Sequence, residues 1–517
     1  MSRKHRTIIG IASFLMMTLT GANAQMRDMT TMELVADMGL GINLGNTFEA
    51  VIECGMSDQG CVEWVNSMAT LEESWGSPRI TRQIIQGYKD AGFRTVRVPV
   101  AWSNKMVGNS IANNNVPCNN GTCISSATQL ISGNSYTISP ELMDRVQEVV
   151  DLILEEDMYV ILNIHWDGGW WREFPTDSTE AMRKFLRIWE QVGQQFRDYD
   201  DHLMFASLNE EGGWDDIWYI HRNGDDLVAK ARAYGLLNTI NQAFVSEIRS
   251  QGGNNAQRHL QVQGYHTNID RTIDEMFVMP TDPAGRLAVS VHYYDPFAFT
   301  HISEPVDWGG IILPMTTWGT PADHAELNNF MDKLMPRFIN QGIPVIMGEY
   351  GVASWDAKFE RDRASVRQYT LAVTEAMLTR GMLPVLWDTQ LNAAEGDIVY
   401  YYDRHSASFV DPLLAAGFRA LAEDHSVSIR DRATTVRPAA ATRPNIAIRG
   451  RTLNVSSSTD SDFQVRMFDV KGRVRADFRV SGGVGSYSLI GMPAGRYFVE
   501  VRGAGLDVKS VSAIVVR

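Results

Sequence analysis

Two glutamates, Glu210 and Glu349, close short apolar runs of the kind that form β-strands, Leu203-Met-Phe-Ala-Ser-Leu-Asn-Glu210 and Pro344-Val-Ile-Met-Gly-Glu349. Such a pair suits glycoside hydrolysis, in which one carboxyl gives a proton to the leaving oxygen while the other, ionised, attacks or stabilises the anomeric carbon. Their surroundings must therefore differ. Arg97 and Tyr294 also end apolar runs, and either could hydrogen-bond Glu349 and hold it ionised. Glu210 stands beside Asn209 and Glu211, with Trp214 nearby. A like charge and an aromatic neighbour should raise its proton affinity, as a general acid requires.

The tryptophans point toward sugar as well. Trp166, Trp170, Trp171, Trp214, Trp218, Trp308, Trp318 and Trp387 lie at or after strand ends, where indoles can stack on pyranose faces and Asn, His and carboxylates can meet their hydroxyls. Burial as loop or core anchors is the competing reading for each of them except Trp387. His165-Trp-Asp167 and His292 offer nitrogen and oxygen donors, but the sequence contains no compact ligand set, and neither a metal nor a cofactor is expected.

These residues need elements to position them. Eight β-rich runs, at 41–46, 95–100, 159–165, 203–210, 260–266, 287–294, 344–350 and 382–387, alternate with helical patterns such as Glu141–Glu156, Ala181–Tyr199 and Leu227–Arg249. That alternation predicts an α/β fold, a (β/α)8 TIM barrel, whose catalytic face lies at the strand C-termini. Asn46, Arg97, His165, Asn209, Glu210, His292, Tyr294, Glu349 and Trp387 would all meet there. A doubly wound open sheet is disfavoured, because no Gly-rich phosphate loop follows any strand.

Asn46-Thr-Phe-Glu49, Arg97-Val-Pro, Asn163-Ile-His165, Leu208-Asn-Glu210, His292-Tyr-Tyr294, Gly348-Glu-Tyr-Gly351 and Trp387 together resemble glycoside hydrolase family 5, which includes many bacterial endo-β-1,4-glucanases. The resemblance spans roughly residues 30–420. It implies that Glu210 is the acid/base, Glu349 the nucleophile, Arg97 and Tyr294 its partners, and Asn209 a donor to the sugar 2-hydroxyl. It also implies that His165 and His292 line the cleavage subsite, that Trp387 stacks on the sugar before the scissile bond, and that Asn46 and Glu49 touch glucan hydroxyls. Three positions depart from the family pattern: Glu211 where a Pro is frequent, Ala206 where a Glu is common, and Trp166 where many members carry a second His. The last bears on substrate preference. Cellulose-like glucan is the expected substrate, ahead of mixed-linkage glucan, xyloglucan, mannan and xylan. A non-catalytic glycan-binding barrel and a surface adhesin are the alternatives.

The 517 residues carry a net charge of −14, with 44% hydrophobic and 9% aromatic residues. This is globular composition, and without a basic block it argues against a nucleic-acid partner. Arg3 to Arg6, the apolar run Ile8 to Leu19 and Ala22-Asn23-Ala24 read as a signal peptide over 1–24, so the mature chain is expected to be secreted or held at a cell surface, without a transmembrane segment. Cys54, Cys61, Cys118 and Cys123 form two close pairs, for which two local disulfides are the favoured connectivity. The acidic excess lies within 25–444, whereas 445–517 carry 11 basic against 6 acidic residues. The expected organisation is a catalytic barrel over 25–426, a linker at 427–444 rich in Ala, Thr and Pro, and a small β-sandwich over 445–517. Phe468-Asp-Val-Lys-Gly472 and Pro493-Ala-Gly-Arg-Tyr-Phe498 resemble C-terminal sorting domains of gram-negative bacteria, which implies secretion machinery or surface attachment as a partner. A carbohydrate-binding module is the competing reading, and a monomer is expected.

Overall fold

The computed structural model describes residues 26–50, 72–73, 75–107, 118–119, 122–123, 130, 132–211, 214, 217–218, 223–307, 310–353, 361–390, 399–433, 445–449, 452–456, 463–469, 473–481, 484–493, 495–503 and 506–516. The expected signal peptide, Cys54, Cys61, Trp308 and the 434–444 part of the linker lie outside the described residues.

Eight parallel strands close into a barrel in chain order: β1 (Gly41–Asn43), β2 (Thr95–Val98), β3 (Tyr159–Asn163), β4 (Leu203–Ala206), β5 (Leu260–Gln263), β6 (Leu287–Tyr293), β7 (Val345–Tyr350) and β8 (Leu383–Leu386). Closure is made where Gly41 of β1 pairs with Val385 of β8. Alternate residues face the two sides of each strand. Val96, Val160, Leu162, Val262 and Val289 join the layer packed on the helices, while Tyr159, Ile161, Met204, Ala206, Ala288, Ile346, Leu383 and Val385 fill the barrel interior.

Helix α1 (Thr31–Met38) precedes the barrel and plugs its floor. Thr30 and Glu33 form a reciprocal cap at its start, and Leu34, Val35 and Met38 pack into the interior cluster. The outer ring is α2 (Arg82–Asp90), α3 (Pro140–Leu154), α4 (Ser178–Gln195), α5 (Leu227–Ser250), α6 (Pro321–Arg337), α7 (Arg363–Leu378) and α8 (Pro412–Ala433). In α3 the buried Leu142, Val146, Val149, Val150 and Ile153 recur at helical spacing, and Pro140 at the first turn costs no hydrogen bond. After β5 the chain makes only one helical turn, Ile269–Thr272. Helix α8 continues through 427–433, which the sequence assigned to the linker; no Pro or Gly interrupts that stretch.

The chain divides into compact units at 1–429 and 430–517. The second holds a three-stranded sheet of β9 (Asn445–Arg449), β10 (Thr452–Ser456) and β13 (Val484–Ser488), and a four-stranded sheet of β11 (Phe463–Asp469), β12 (Val474–Val480), β14 (Gly495–Gly503) and β15 (Leu506–Val516). Leu453 and Val455 from one sheet share a core with Val465, Met467 and Val499 from the other, as in a small sandwich. Among the described residues no helix is long and apolar enough to cross a membrane.

Candidate active site

The mouth of the barrel is organised by a departure from strand regularity. On β7, Ile346 faces the interior and Met347 the helix layer, so strict alternation would turn Glu349 outward. The register slips instead: Met347 pairs with Val291 on β6, and Glu349 pairs with the next residue, His292. This bulge reverses the phase, aiming Glu349 into the mouth and sending Tyr350 outward to bond Thr374 of α7 at 2.7 Å. Gly348 permits it, because a Cβ there would stand 2.9 Å from Nε2 of His292.

Asn43 of β1 secures this geometry from below. Its Nδ2 donates to the carbonyls of Gly348 at 2.9 Å and Leu386 at 3.1 Å, while its Oδ1 accepts from Arg97 at 2.8 Å. Arg97, buried at 1% exposure, donates the same Nη1 to Glu349 at 2.9 Å, and Tyr294 donates its hydroxyl to the second carboxylate oxygen at 3.0 Å. Both partners expected for Glu349 are thus engaged. Burial pushes its pKa up, opposed by interaction with His292 and Arg97 and reinforced by Glu210, with a net upward shift.

Glu210 meets His292 Nδ1 at 2.7 Å, and the same nitrogen lies 3.6 Å from Glu349. Burial drives His292 down to about 4, so the ring between the carboxyls is neutral at pH 7. Depending on tautomer, Nδ1 donates to an ionised Glu210 or accepts from a protonated one. The surrounding protein pushes Glu210 up against the opposing pull of His266 and Arg97, although its side chain is 44% exposed to the cleft, so water offsets part of that push until a ligand covers it. The causes expected from sequence are not the operative ones. Glu211 turns back to accept from the backbone N–H of Asn209 at 2.5 Å, and Trp214 is buried, edge-on to Phe174, with its indole N–H on the carbonyl of Trp171. Ligating atoms of Glu210, His292 and Glu349 lie within 4.8 Å of one another, a spacing open to a cation as well as a shared proton; Arg97 already supplies positive charge there.

Beside this pair lies a wall for a sugar. Arg97 donates its Nη2 to Asn209 Oδ1 at 2.5 Å, and because a guanidinium only donates, the Asn209 amide must present its NH2 elsewhere. That nitrogen stands 3.5 Å from His165 Nε2. His165 is buried, held neutral by that burial, and stacked on Trp387 with ring centroids 5.5 Å apart and planes 2° from parallel. Asn46 sits at the β1 end in a left-handed conformation, φ 56. Glu49 does not face the cleft as a hydroxyl ligand would. It is buried, and its carboxylate accepts from the backbone N–H groups of Asn46 and Thr47, so it shapes the loop that presents Asn46.

The tryptophan inventory is narrower than the sequence suggested. Trp170, Trp171, Trp214, Trp218 and Trp318 are all buried. Trp166, at 39% exposure beneath the Arg172 guanidinium, and half-buried Trp387 remain accessible. Asn43, Gly348 and His266 escaped sequence reasoning. An Asn inside a strand, where β-propensity disfavours it, was the one available signal for Asn43. His266, held at φ 51 with Arg271 on its Nδ1, closes the fifth β-rich run, the same strand-end position that marks the other site residues.

A family profile described as Cellulase (glycosyl hydrolase family 5) matches residues 57–393. Endoglucanase A of Paenibacillus barcinonensis is 32% identical over 426 residues, covering 76% of this chain and 92% of the relative. A xyloglucan-specific endo-beta-1,4-glucanase of Bacteroides ovatus is 33% identical over 376 residues, covering 71% of this chain and 66% of the relative. Among solved structures, a broad specificity endoglucanase from an uncultured bovine rumen ciliate superposes with a TM-score of 0.62 at 34% identity, covering 77% of this chain and 99% of that one.

Proposed function

The chain belongs to glycoside hydrolase family 5, and we propose that it cuts β-1,4-glucan chains internally with retention of configuration, Glu349 acting as nucleophile and Glu210 as general acid and then base. The observation that carries this reading is the asymmetry between two carboxyls whose oxygens approach within 4.8 Å. Glu349 receives a guanidinium and a phenol, both of which favour its ionised form, whereas among the described residues Glu210 receives only a neutral imidazole and opens to the cleft. An inverting pair would need ~6.5–9.5 Å to admit a water.

In the first step Glu349 attacks the anomeric carbon and Glu210 protonates the departing glycosidic oxygen, leaving a glycosyl ester on Glu349. In the second, Glu210, now ionised, takes a proton from water, which displaces Glu349 and releases a β-product. Arg97 and Tyr294 hold the nucleophile's oxygens through both steps, and the Asn209 amide is available to the sugar hydroxyl beside the reacting carbon. Trp387 and Asn46 carry the sugar on the non-reducing side.

Linear glucan is the leading substrate, followed by mixed-linkage glucan and xyloglucan, then mannan and xylan. Release of reducing ends from soluble forms of these five polymers tests the reading. A folded chain that binds glucan and releases none from any of them would favour a glycan-binding barrel. Proton NMR of the earliest products should show the β-anomer.

The remaining expectations concern delivery. Residues 1–24 direct export, and the barrel is joined by a linker to a tail that engages secretion machinery or the cell surface. Normal surface delivery of a chain lacking the tail would instead favour a carbohydrate-binding module. The antiparallel backbone pairing of Cys118 with Cys123 supports a local bridge between those two, and a second between Cys54 and Cys61 stays the favoured connectivity. Mass mapping that linked Cys118 or Cys123 to Cys54 or Cys61 would refute them.

A further inference from the structure

Beyond the catalytic pair, one buried side chain joins the two loops that carry the sugar-facing wall. Arg404 lies in the β8–α8 connection with its guanidinium wholly buried. Nη1 donates to the hydroxyls of Thr47, at 3.0 Å, and Ser77, and Nη2 donates to the carbonyl oxygen of Asp388 at 3.0 Å. Its own backbone N–H is fixed by Gln390 Oε1 at 3.1 Å.

Two of those acceptors adjoin residues of the proposed subsite, Asp388 following Trp387 and Thr47 following Asn46. The Asp388 carbonyl also accepts the Gly45 N–H at 3.1 Å, so one oxygen ties the β1 loop and the arginine to the β8 loop together. The approach is close: a Cβ on Gly45 would stand 2.6 Å from that oxygen and 3.1 Å from the Trp387 indole. The indole therefore rests on the β1 backbone, and its tilt depends on how the two loops are held. Asp388 adds its carboxylate to the backbone N–H groups of Tyr401 and Tyr402, both at 2.9 Å, so the short hairpin that pairs Tyr402–Asp403 with Ser408–Phe409 and carries Arg404 in its turn is itself anchored to the residue after Trp387. Nη2 also reaches the Asp388 carboxylate at 3.4 Å, which answers the buried charge, and the fork engages Thr47, Ser77 and Asp388 together because a guanidinium is planar and donates in several directions at once.

We propose that Arg404 is a positioning residue, locking the β1 and β8 loops so that Trp387 and Asn46 form one rigid sugar platform; this rests on the reading that Trp387 carries the sugar beside the scissile bond. Lysine keeps the charge but lacks the planar fork, so Arg404→Lys should release the platform without leaving a buried gap.

The test is a double-mutant cycle on a soluble β-glucan, measured well below the unfolding temperature of every variant. Trp387→Ala should lower kcat/KM at least tenfold. Arg404→Lys should lower it about fivefold or more in the otherwise native chain, dividing the loss between KM and kcat as Trp387→Ala does, yet change it less than twofold once Trp387 is already Ala. Additive losses, or an Arg404→Lys chain with native kcat/KM, would overturn the proposal. If Arg404→Lys does not fold, Thr47→Val, which removes one acceptor of the fork, takes its place under the same criteria. A Trp387→Ala chain with native kcat/KM would contradict the subsite reading itself, an outcome distinct from additivity.

Discussion

The two ends of the barrel use the same chemical kit to opposite effect. At the floor, Arg27 donates to Asp201, to the Tyr159 hydroxyl at 2.7 Å and to Asp37 at 3.2 Å, and Tyr159 donates to Asp37. At the mouth, Arg97 and Tyr294 hold Glu349 in much the same way. Burial alone would raise both carboxyls. At Asp37 the Tyr159 hydrogen bond and the charges of Arg94 and Arg27 win, and the net shift is downward. At Glu349 burial wins, helped by the negative charge of Glu210 across the cleft. An arginine, a tyrosine and a carboxylate thus make a structural clasp where every charge is answered. They become chemical where a second carboxyl competes for one guanidinium and the face is open to substrate.

The largest expected effect breaks the mouth. Glu349→Gln should remove turnover on every substrate, a loss of about 10⁴-fold or more, because no other carboxyl can form the ester. Glu210→Gln should cost about 10²–10⁴-fold on polysaccharide and much less on an aryl glycoside, whose leaving group needs little protonation. Azide should accelerate Glu210→Ala and yield a β-glycosyl azide. Rescue of Glu349→Ala giving an α-azide would mean the two roles are exchanged.

The matching change at the floor should separate stability from chemistry. Asp37→Asn is expected to cost about 1–2 kcal/mol in denaturant unfolding while leaving kcat/KM at 25 °C unchanged. Its pH signature is specific. A carboxyl whose folded pKa is lowered contributes stability above its unfolded value, and that stability is lost as pH falls through the folded one. Glu49 and Asp388 act with the opposite sign: burial raises them to about 7 and about 6, so stability falls as pH climbs from the ordinary carboxylate range through those values. Thermal unfolding followed from pH 3 to 8 should pass through a maximum, and Asp37→Asn should flatten only the acid side. The rim carboxyls titrate as a pair, and since both are raised, the acid limb of kcat/KM should fall above the ordinary glutamate value of 4.5.

The smallest effect is expected from removing the C-terminal unit. A chain ending after Ala433, where α8 stops, should fold and cut soluble glucan within about twofold of the full chain, as befits a separate domain. A truncated chain that does not fold would move the boundary.

Strand positions were legible because each β-rich run sits between helical patterns, and the polar residues ending those runs lead directly to Arg97, Glu210, Tyr294 and Glu349. Orientation was less so. Glu349 faces inward only because β7 bulges at Gly348, and a bulge leaves no mark in hydrophobic periodicity. Glu49 was expected to touch glucan hydroxyls and Glu211 to act on Glu210 as a like charge, yet both accept from nearby backbone N–H groups, a choice made by loop geometry. Arg404 sits some 350 residues from Thr47, and nothing local in Tyr402-Asp-Arg404 indicates that it returns to the first loop. The buried tryptophans were indistinguishable from platforms because chain position does not specify which way an indole turns.

Retaining cleavage at this mouth requires a covalent glycosyl ester on Glu349. Incubation with a 2-deoxy-2-fluoro-β-cellobioside bearing an activated leaving group, followed by intact-mass measurement and peptide mapping, tests it directly. A single added disaccharide is expected on the peptide containing Glu349, with activity that returns when an acceptor sugar is supplied. Label on Glu210, or an unlabelled enzyme whose first product from glucan is the α-anomer, would contradict it.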